Sequence, residues 1–549
     1  MKIFKSIFLS LCALLLSLLI LFPLLSMEGA FYGYSSPLNI PEYPRKTGEK
    51  ISNVLLILID GLRADSARSL LSLKKIPGAF GTLKTKPPSW SNPCFANIIT
   101  GTWQDFHSVT SNEFDAEIPV EHLFSFSSSS FVTAFSGDES NLQLIGDSPS
   151  MSFSPDPSLS AEEMDQLIAG KAIEFLSREP SFILVHLSQV DHYQHYYGLQ
   201  GEPTTKALQN VDTLLGEILE KVDLKSYLVI VTSDHGHIDQ GGHGGGEEEV
   251  LNTPFFLFGE NVKTGVTVSG NQVDIAPTIS LLSGAPIPRY CLGEPLWDAF
   301  DLSLETRGRF SLRLLEQRDK FASSFFQMLG GVYKPLNFSM LESSSDFSSV
   351  FGTAESLRKR IDSQIQTLKG ERIAQERNSR LFAPVVCGIL IIGVILFGLR
   401  KGWPLAFLDA TIILILFLIF YHEGLGLSFS FSVLKWGSFL EFFLIFGLPL
   451  LLAEVIVSFL LPFQVRKANP MELAKFLQKS LFSVSLILLM IFSLFFYLNG
   501  MSSTWHLPDF DQGFYELALL LLIVWNGLFA LLLPFVFGFF WKRRKGARG

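Results

Sequence analysis

Four short, unbroken apolar runs punctuate the middle of the chain: VLLILI at 54–59, FILVHL at 182–187, YLVIVT at 227–232 and FFLF at 255–258. A strand that is apolar at every position buries both of its faces, as in the interior of a sheet covered on two sides. Between these runs fall stretches of helical spacing, AEEMDQLIAGKAIEFLS at 161–177 and TTKALQNVDTLLGEILEKV at 204–222. Strand and helix in alternation predict an α/β fold with helices on both faces of the sheet, over roughly residues 50–300.

The ends follow another pattern. Residues 7–26, IFLSLCALLLSLLILFPLLS, are uncharged, long enough to cross a bilayer as a helix, and preceded by Lys2 and Lys5. Met27, Glu28 and Gly29 follow directly where a cleavage site would carry small residues, so residues 1–28 read as an N-terminal transmembrane signal anchor. Apolar spans near 382–399, 404–421, 437–461, 480–498 and 515–541 predict a C-terminal all-α transmembrane bundle of about five helices within 381–545. Residues 301–380 contain ESSSDFSSV and then the charged SLRKRIDSQIQTLKGERIAQERNSR, and read as a helical connector without chemistry of its own.

The loops fix an orientation. Arg400 and Lys401, then Arg466, Lys467, Lys475 and Lys479, then Lys542, Arg543, Arg544 and Lys545 all fall on the side of Lys2 and Lys5. The opposite loops carry His422 and Glu423, or Asp509 and Asp511. Because basic loops stay in the cytoplasm, residues 30–380 are expected on the non-cytoplasmic side, in a periplasm or a secretory lumen. Glu441 and Glu454, both in the fourth span, read as acids near a helix end or facing a neighbouring helix, with lipid or proton handling as the other reading.

Composition narrows the function classes. The 549 residues exceed what one core holds, and 48% hydrophobic residues with 51 Phe place part of the chain in lipid. A net charge of −9, without a long basic run outside the membrane flanks, argues against a nucleic-acid partner. Of the four cysteines, Cys12 and Cys387 fall in apolar spans; Cys94 and Cys291 read as buried thiols in preference to a bridge. No CxxC occurs, which disfavours cysteine-held zinc.

Acids and histidines follow the ends of the predicted strands, where α/β sheets place their sites. VLLILI runs into Asp60; FILVHL is followed by Asp191 and His195 in a D-x-x-x-H spacing; YLVIVT runs into Ser233, Asp234 and His235, with His243 in the glycine-rich GGHGGG beyond. Carboxylates and neutral imidazoles suit divalent metals such as zinc. About seven such ligands on one sheet edge suit two metals, the arrangement that stabilises both the attacking and the leaving oxygen of a phosphoryl displacement. His107, His186, His192 and His237 are not needed as ligands and read as structural or supporting residues.

The segment SNPCFANIITG at 91–101, with His107 and Asn112 beyond it, resembles the nucleophile region of the alkaline phosphatase superfamily, especially its phosphodiesterase and nucleotide pyrophosphatase branch. In that pattern a Ser or Thr stands two residues before a Pro and ten before a Gly, as Ser91 does. The resemblance implies an alkaline-phosphatase-like sheet. It also implies that Asp60, Ser91, Asp234 and His235 bind one zinc, that Asp191, His195 and His243 bind the other, and that Asn112 donates to a phosphate oxygen.

A narrower resemblance, to the GPI ethanolamine phosphate transferases, rests on FSGDESNLQLI at 135–145, HGGGEEEVLNTPFFLFG after the last ligand and VDIAPTISLLSGAPIP. Asn141 stands where that family has Trp, and the C-terminal bundle is short for it. The resemblance implies a phosphoserine-type intermediate on Ser91, a phospholipid donor such as phosphatidylethanolamine, and a lipid or glycan acceptor. Water in place of the acceptor would make the enzyme a type I phosphodiesterase. Sulfatase chemistry is disfavoured because Phe95 occupies the Arg position of that branch, and phosphomonoesterase chemistry because no obvious Arg follows the nucleophile. A non-catalytic membrane scaffold carrying a degenerate hydrolase domain is the remaining rival, and the intact ligand set argues against it.

Overall fold

The structure is a computed structural model that describes residues 25–27, 29–435, 438–460, 470–500 and 503–546. The anchor expected over residues 7–26, with Lys2, Lys5 and Cys12, lies outside these but for its last two residues, as do Arg466 and Lys467. The chain divides into two compact units. One comprises Tyr32–Arg372 with Thr504–Leu507; the other gathers the described parts of Met1–Phe31, Ile373–Ser503 and Pro508–Gly549.

The first unit is built on an eight-stranded sheet of order β4-β3-β5-β1-β6-β7-β2-β8. Its strands are β1 (Asn53–Ile59), β2 (Gly78–Lys84), β3 (Thr133–Ser136), β4 (Met151–Phe153), β5 (Phe182–Leu187), β6 (Tyr227–Thr232), β7 (Asn252–Phe258) and β8 (Thr267–Asn271). Of the eight, β7 alone runs antiparallel to its neighbours. The three apolar runs that carry the sequence motifs are adjacent in the centre, as β5-β1-β6, and every residue in them is buried. In a parallel register β1 matches Ile59 to Leu187 of β5 and Leu58 to Thr232 of β6, so the three strands end together.

Alternation of side chains along each strand divides the core in two. Val54, Leu56 and Leu58 of β1 face one layer together with Phe182, Leu184, Leu228 and Ile230. Helix α1 (Ser91–Thr100) covers that face with Phe95, Ala96, Ile98 and Ile99. Leu55, Ile57 and Ile59 face the other layer, covered by α3 (Ala161–Leu176) and α5 (Glu202–Leu219) through Ile168, Ala172, Phe175, Val211, Leu215 and Ile218. Two local signals set helix ends. Ser160 and Glu163 form a capping box at the start of α3. Gly101 ends α1 at φ 71°, in the left-handed region, where an added Cβ would also meet Cys291 Sγ at 2.7 Å. Cys94 and Cys291 are both buried free thiols.

Two more helices of this unit, α2 (Glu139–Ile145) and α4 (Gln189–Tyr197), lie near the site described below, and α6 (Ile275–Ser283) packs on the α1 side of the sheet. The stretch after residue 300 contains α7 (Leu304–Met328) and α8 (Phe347–Arg380). Leu315, Phe321 and Phe325 of α7 pack with Ile361 and Ile365 of α8 and with Phe106. Arg318 of α7 pairs with Asp362 of α8.

The second unit holds α9 (Phe382–Arg400), α10 (Pro404–Ile419), α11 (Phe439–Leu460), α12 (Pro470–Leu498) and α13 (Phe510–Gly546). Five helices among the described residues are long and apolar enough to cross a membrane, and the chain is read as a membrane protein on that ground. Phe417, Tyr421, Phe446 and Phe514 lie in the bundle core. Glu441 sits in the first turn of α11 and accepts the Lys435 backbone N–H at 3.0 Å, whereas Glu454 is buried among the helices.

Truncating Leu56, fully buried in the central strand, is expected to cost about 2–5 kcal/mol. Leu71→Ser, at a position 58% exposed, should stay within about 0.5 kcal/mol of wild type. Denaturant unfolding of the full-length protein in detergent compares the two.

Candidate active site

The common end of β5, β1 and β6 concentrates the polar residues of the sheet. Asp60 is the residue after β1, Ser233-Asp234-His235 follow β6, and α4 starts two residues beyond β5 with Asp191 and His195 one turn apart. Ser91 is the first residue of α1, half-buried where the rest of that helix is buried. His243 comes from the glycine-rich loop after β6. An isolated bridge pairs Ser89 with Gly244, and His243 Nδ1 lies 3.0 Å from the Ser89 carbonyl, which ties this loop to the segment preceding Ser91. Gly244 adopts φ 113°, and a Cβ there would fall 2.3 Å from the Trp90 indole nitrogen, so the crossing requires glycine.

All seven ligand positions expected from the sequence are brought together. Ser91 Oγ lies 3.2 Å from His235 Nε2, which is itself 3.4 Å from Asp60 Oδ1 and 3.4 Å from Asp234 Oδ2. On the other side, Asp191 lies 3.5 Å from His195 Nε2 and 3.6 Å from His243 Nε2, and those two nitrogens are 3.0 Å apart. The rings of His235 and His243 stack at 3.7 Å between the two groups. With Nδ1 of His235 directed to the Gly236 carbonyl and Nδ1 of His243 to that of Ser89, the Nε2 lone pairs of both rings face the centre.

Electrostatics identify what such a site would hold. Burial, then the carboxylates of Asp234 and Asp191, push Asp60 well above the usual carboxylate range. Burial would also raise Asp191, but His195, His237 and His243 overcome it and hold that carboxyl well below its ordinary value. Burial, reinforced by His235, pushes His243 well down, which keeps its imidazole neutral. Asp234 Oδ1 accepts the N–H groups of Gly61 and His235, while Asp234 Oδ2 and Asp60 Oδ1 are buried without a hydrogen bond. Carboxylate oxygens orphaned in this way, beside neutral imidazoles, fit a divalent metal. Among the described residues, Asp60, His186 and Asp234 form one group able to hold an ion, and Asp191, His235, His237 and His243 form another.

Both groups include a histidine that the sequence analysis had assigned a supporting role. His237 Nδ1 accepts the Gly242 N–H at 2.8 Å, so its Nε2–H donates to Asp191 Oδ1 at 2.7 Å and orients that carboxylate. His186, on β5, lies with Nε2 3.4 Å from Asp60 and Nδ1 3.9 Å from Asp138. His107 is structural, bonded to Asn97 Oδ1 and to the Val109 N–H, and burial lowers its pKa to about 3. His192 is exposed on the flank of α4 against Tyr193 and Tyr196. Asn112 meets the start of α1, its carbonyl oxygen accepting the Asn92 N–H at 3.0 Å.

Two acids of the site were not singled out in the sequence. Asp165 of α3 accepts the Ser188 N–H, the Gln189 N–H and the Gln189 amide, and thereby fixes the start of the helix that carries Asp191 and His195. Burial pushes its carboxyl up to about 7. The available signal was phase: Asp165 occupies the buried stripe of α3 together with Ile168, Ala169 and Ala172. Asp138, just beyond β3, lies in the FSGDESNLQLI segment that carries the narrower family resemblance, where it had no role of its own.

The profile of the type I phosphodiesterase / nucleotide pyrophosphatase family matches residues 153–243, which include Asp191, His195, Asp234, His235 and His243. The chain is 26% identical over 286 residues to the human GPI ethanolamine phosphate transferase 3, catalytic subunit, an alignment covering 46% of this chain and 26% of that protein. It is 32% identical over 157 residues to GPI ethanolamine phosphate transferase 3 of Schizosaccharomyces pombe, covering 26% and 17% of the two chains. The chain carries a type I phosphodiesterase / nucleotide pyrophosphatase domain and is homologous to the GPI ethanolamine phosphate transferases.

The alignments span well under half the length of these curated relatives. Among solved structures, murine ectonucleotide pyrophosphatase / phosphodiesterase 5 aligns with 45% of this chain and 100% of its own, at 13% identity and a TM-score of 0.38. A 2-O GAG sulfatase aligns with 45% and 74%, at 16% identity and a TM-score of 0.39.

His237→Ala is expected to weaken divalent-metal binding about 10–100-fold, because it frees the Asp191 carboxylate. His192→Ala, outside both groups, should leave metal binding at the wild-type level. Equilibrium dialysis against zinc, with metal counted per chain, measures both.

Proposed function

We propose that this chain transfers a phosphoethanolamine-type group from a phospholipid donor to a lipid or glycan acceptor, with Ser91 as the nucleophile, on the non-cytoplasmic side of a membrane. The observation that carries the reading is the position of Ser91. Its Oγ is half-exposed at a helix start and 3.2 Å from His235 Nε2, at the junction of the two metal-ligand groups. Two divalent ions, zinc by the ligand types, would be held by Asp60, Ser91, Asp234 and His235 and by Asp191, His195 and His243, and would stabilise the charge on the attacking and leaving oxygens.

The side chains account for the remaining steps. The start of α1 favours negative charge on Ser91 Oγ, and His235 holds that oxygen in place. Ser91 Oγ bonds to phosphorus as the bond from phosphorus to the lipid alcohol breaks; the alcohol departs with a proton and the headgroup phosphate stays on Ser91. An acceptor hydroxyl then gives up its proton and attacks the same phosphorus, and Ser91 Oγ leaves. The Asn112 amide, docked at the start of α1, is suited to donate to a non-bridging phosphate oxygen in both steps. Asp165 and His237 keep α4 and the Asp191 carboxylate in register throughout.

The family match favours one second reading, a hydrolytic phosphodiesterase in which water discharges Ser91. The two share every residue above and differ in what reaches the phosphoserine.

The test uses full-length, zinc-loaded protein in detergent with phosphatidylethanolamine labelled in its headgroup. Label is expected on wild type and absent from Ser91→Ala, and it should pass to an added lipid or glycan acceptor. Release to water alone would establish the hydrolase, and no label on metal-loaded wild type would sink the donor assignment.

A further inference from the structure

Asp138 is a carboxylate at the site that the chemistry above does not use. It lies two residues past β3, the strand next to β5, so it shares the edge that bears Asp60 and Asp191. Its side chain is 25% exposed, against 8% for Asp60. Among the described residues no Lys or Arg pairs with it; its contacts are the Ser188 hydroxyl at 3.3 Å and His186 Nδ1 at 3.9 Å. His186 is 1% exposed, makes no hydrogen bond through either ring nitrogen, and stands between the two acids, with Asp60 3.4 Å from its other nitrogen. The His186 ring and its contacts of 3.4 Å and 3.9 Å therefore separate a proposed metal ligand from a partly open carboxylate with which no Lys or Arg pairs among the described residues.

We infer that Asp138, assisted by the Ser188 hydroxyl, receives the primary ammonium of the donor headgroup. This rests on the phosphoethanolamine reading. In phosphoethanolamine two carbons link the phosphate oxygen to the ammonium, a short arm that would reach from a phosphate bound at the metal group of Asp60, past the His186 ring, to the Asp138 carboxylate. A primary ammonium carries three N–H donors, and Asp138 and Ser188 both present acceptor oxygens, so the contact is a charge-assisted hydrogen bond. A glycerol headgroup brings no positive charge, and a trimethylammonium has no N–H to donate. The neighbouring site would strengthen the selection: Asp60, Asp191 and Asp234 would each face a metal ion when loaded, which leaves Asp138 as the acid available to a headgroup.

Isothermal calorimetry on the zinc-loaded full-length protein in detergent tests this with soluble O-phosphoethanolamine and sn-glycerol 3-phosphate, and with metal content measured on every sample. Wild type should prefer phosphoethanolamine by about tenfold. Asp138→Asn should abolish that preference, and Asp138→Glu should restore part of it. A preference that survives in Asp138→Asn, or its absence in wild type, overturns the assignment. So does loss of metal from Asp138→Asn, which would make Asp138 part of the metal site. If the preference depends on Asp138 but phosphatidylethanolamine does not label Ser91, the ammonium site stands and the donor assignment fails.

Discussion

Three carboxylates gathered where adjacent strands end, two of them buried and Asp191 partly so, are the constraint on which this molecule turns. Asp60, Asp234 and Asp191 are held together by the register of the sheet and the start of α4, and two of their oxygens have no hydrogen bond. Unpaired charges of one sign in a water-poor site repel strongly and are tolerated only when a proton or a cation neutralises them. The opposite displacements of Asp60 and Asp191 express this. The carboxylate crowded by acids is driven up, and the one ringed by imidazoles is driven down. Divalent cations held by the two groups would relieve both.

Such repulsion has to be resisted by something stiff. The central strands are buried at every position and packed on both faces, which removes the slack that would let the carboxylates splay apart. The remaining candidate ligands are fixed by further hydrogen bonds. Asp165 fixes the start of α4, His237 aligns Asp191, and the Ser89–Gly244 bridge pins the His243 loop against the segment that leads into α1. Ser91 and the candidate ligands are thus tied to one scaffold, the preorganisation that the proposed phosphoryl displacement would need.

How much of this could be read in the sequence follows from where information is local. β1, β5 and β6 were legible because unbroken apolar runs mean burial on both faces, and Asp60, Asp234 and His235 because they follow those runs within three residues. β2 was not: GAFGTLK mixes glycines with exposed positions, and its place in the sheet is set by β7 and β8, distant in the chain. β3 and β4 are too short to show a period. Among site residues, Asp165 carried a local signal in its helical phase. The work of His237 and His186 could not be anticipated, because it depends on which carboxylate each ring reaches across the fold.

The nucleophile helix shows how one position limits the chemistry of such a scaffold. A sulfatase would need an arginine at position 95, four residues after the nucleophile. Phe95 is fully buried there, edge-on to Phe135 at 6.3 Å and to His186 at 6.5 Å, in the core layer between α1 and the sheet. A guanidinium in that place would be a buried charge among aromatic rings, and turning it towards the site would leave a void below. The apolar residue therefore does two things: it packs α1 onto the sheet, and it holds the His186 ring edge-on beside Asp60. The packing that seats α1 on the sheet thus leaves no place at position 95 for the arginine of the sulfatase pattern.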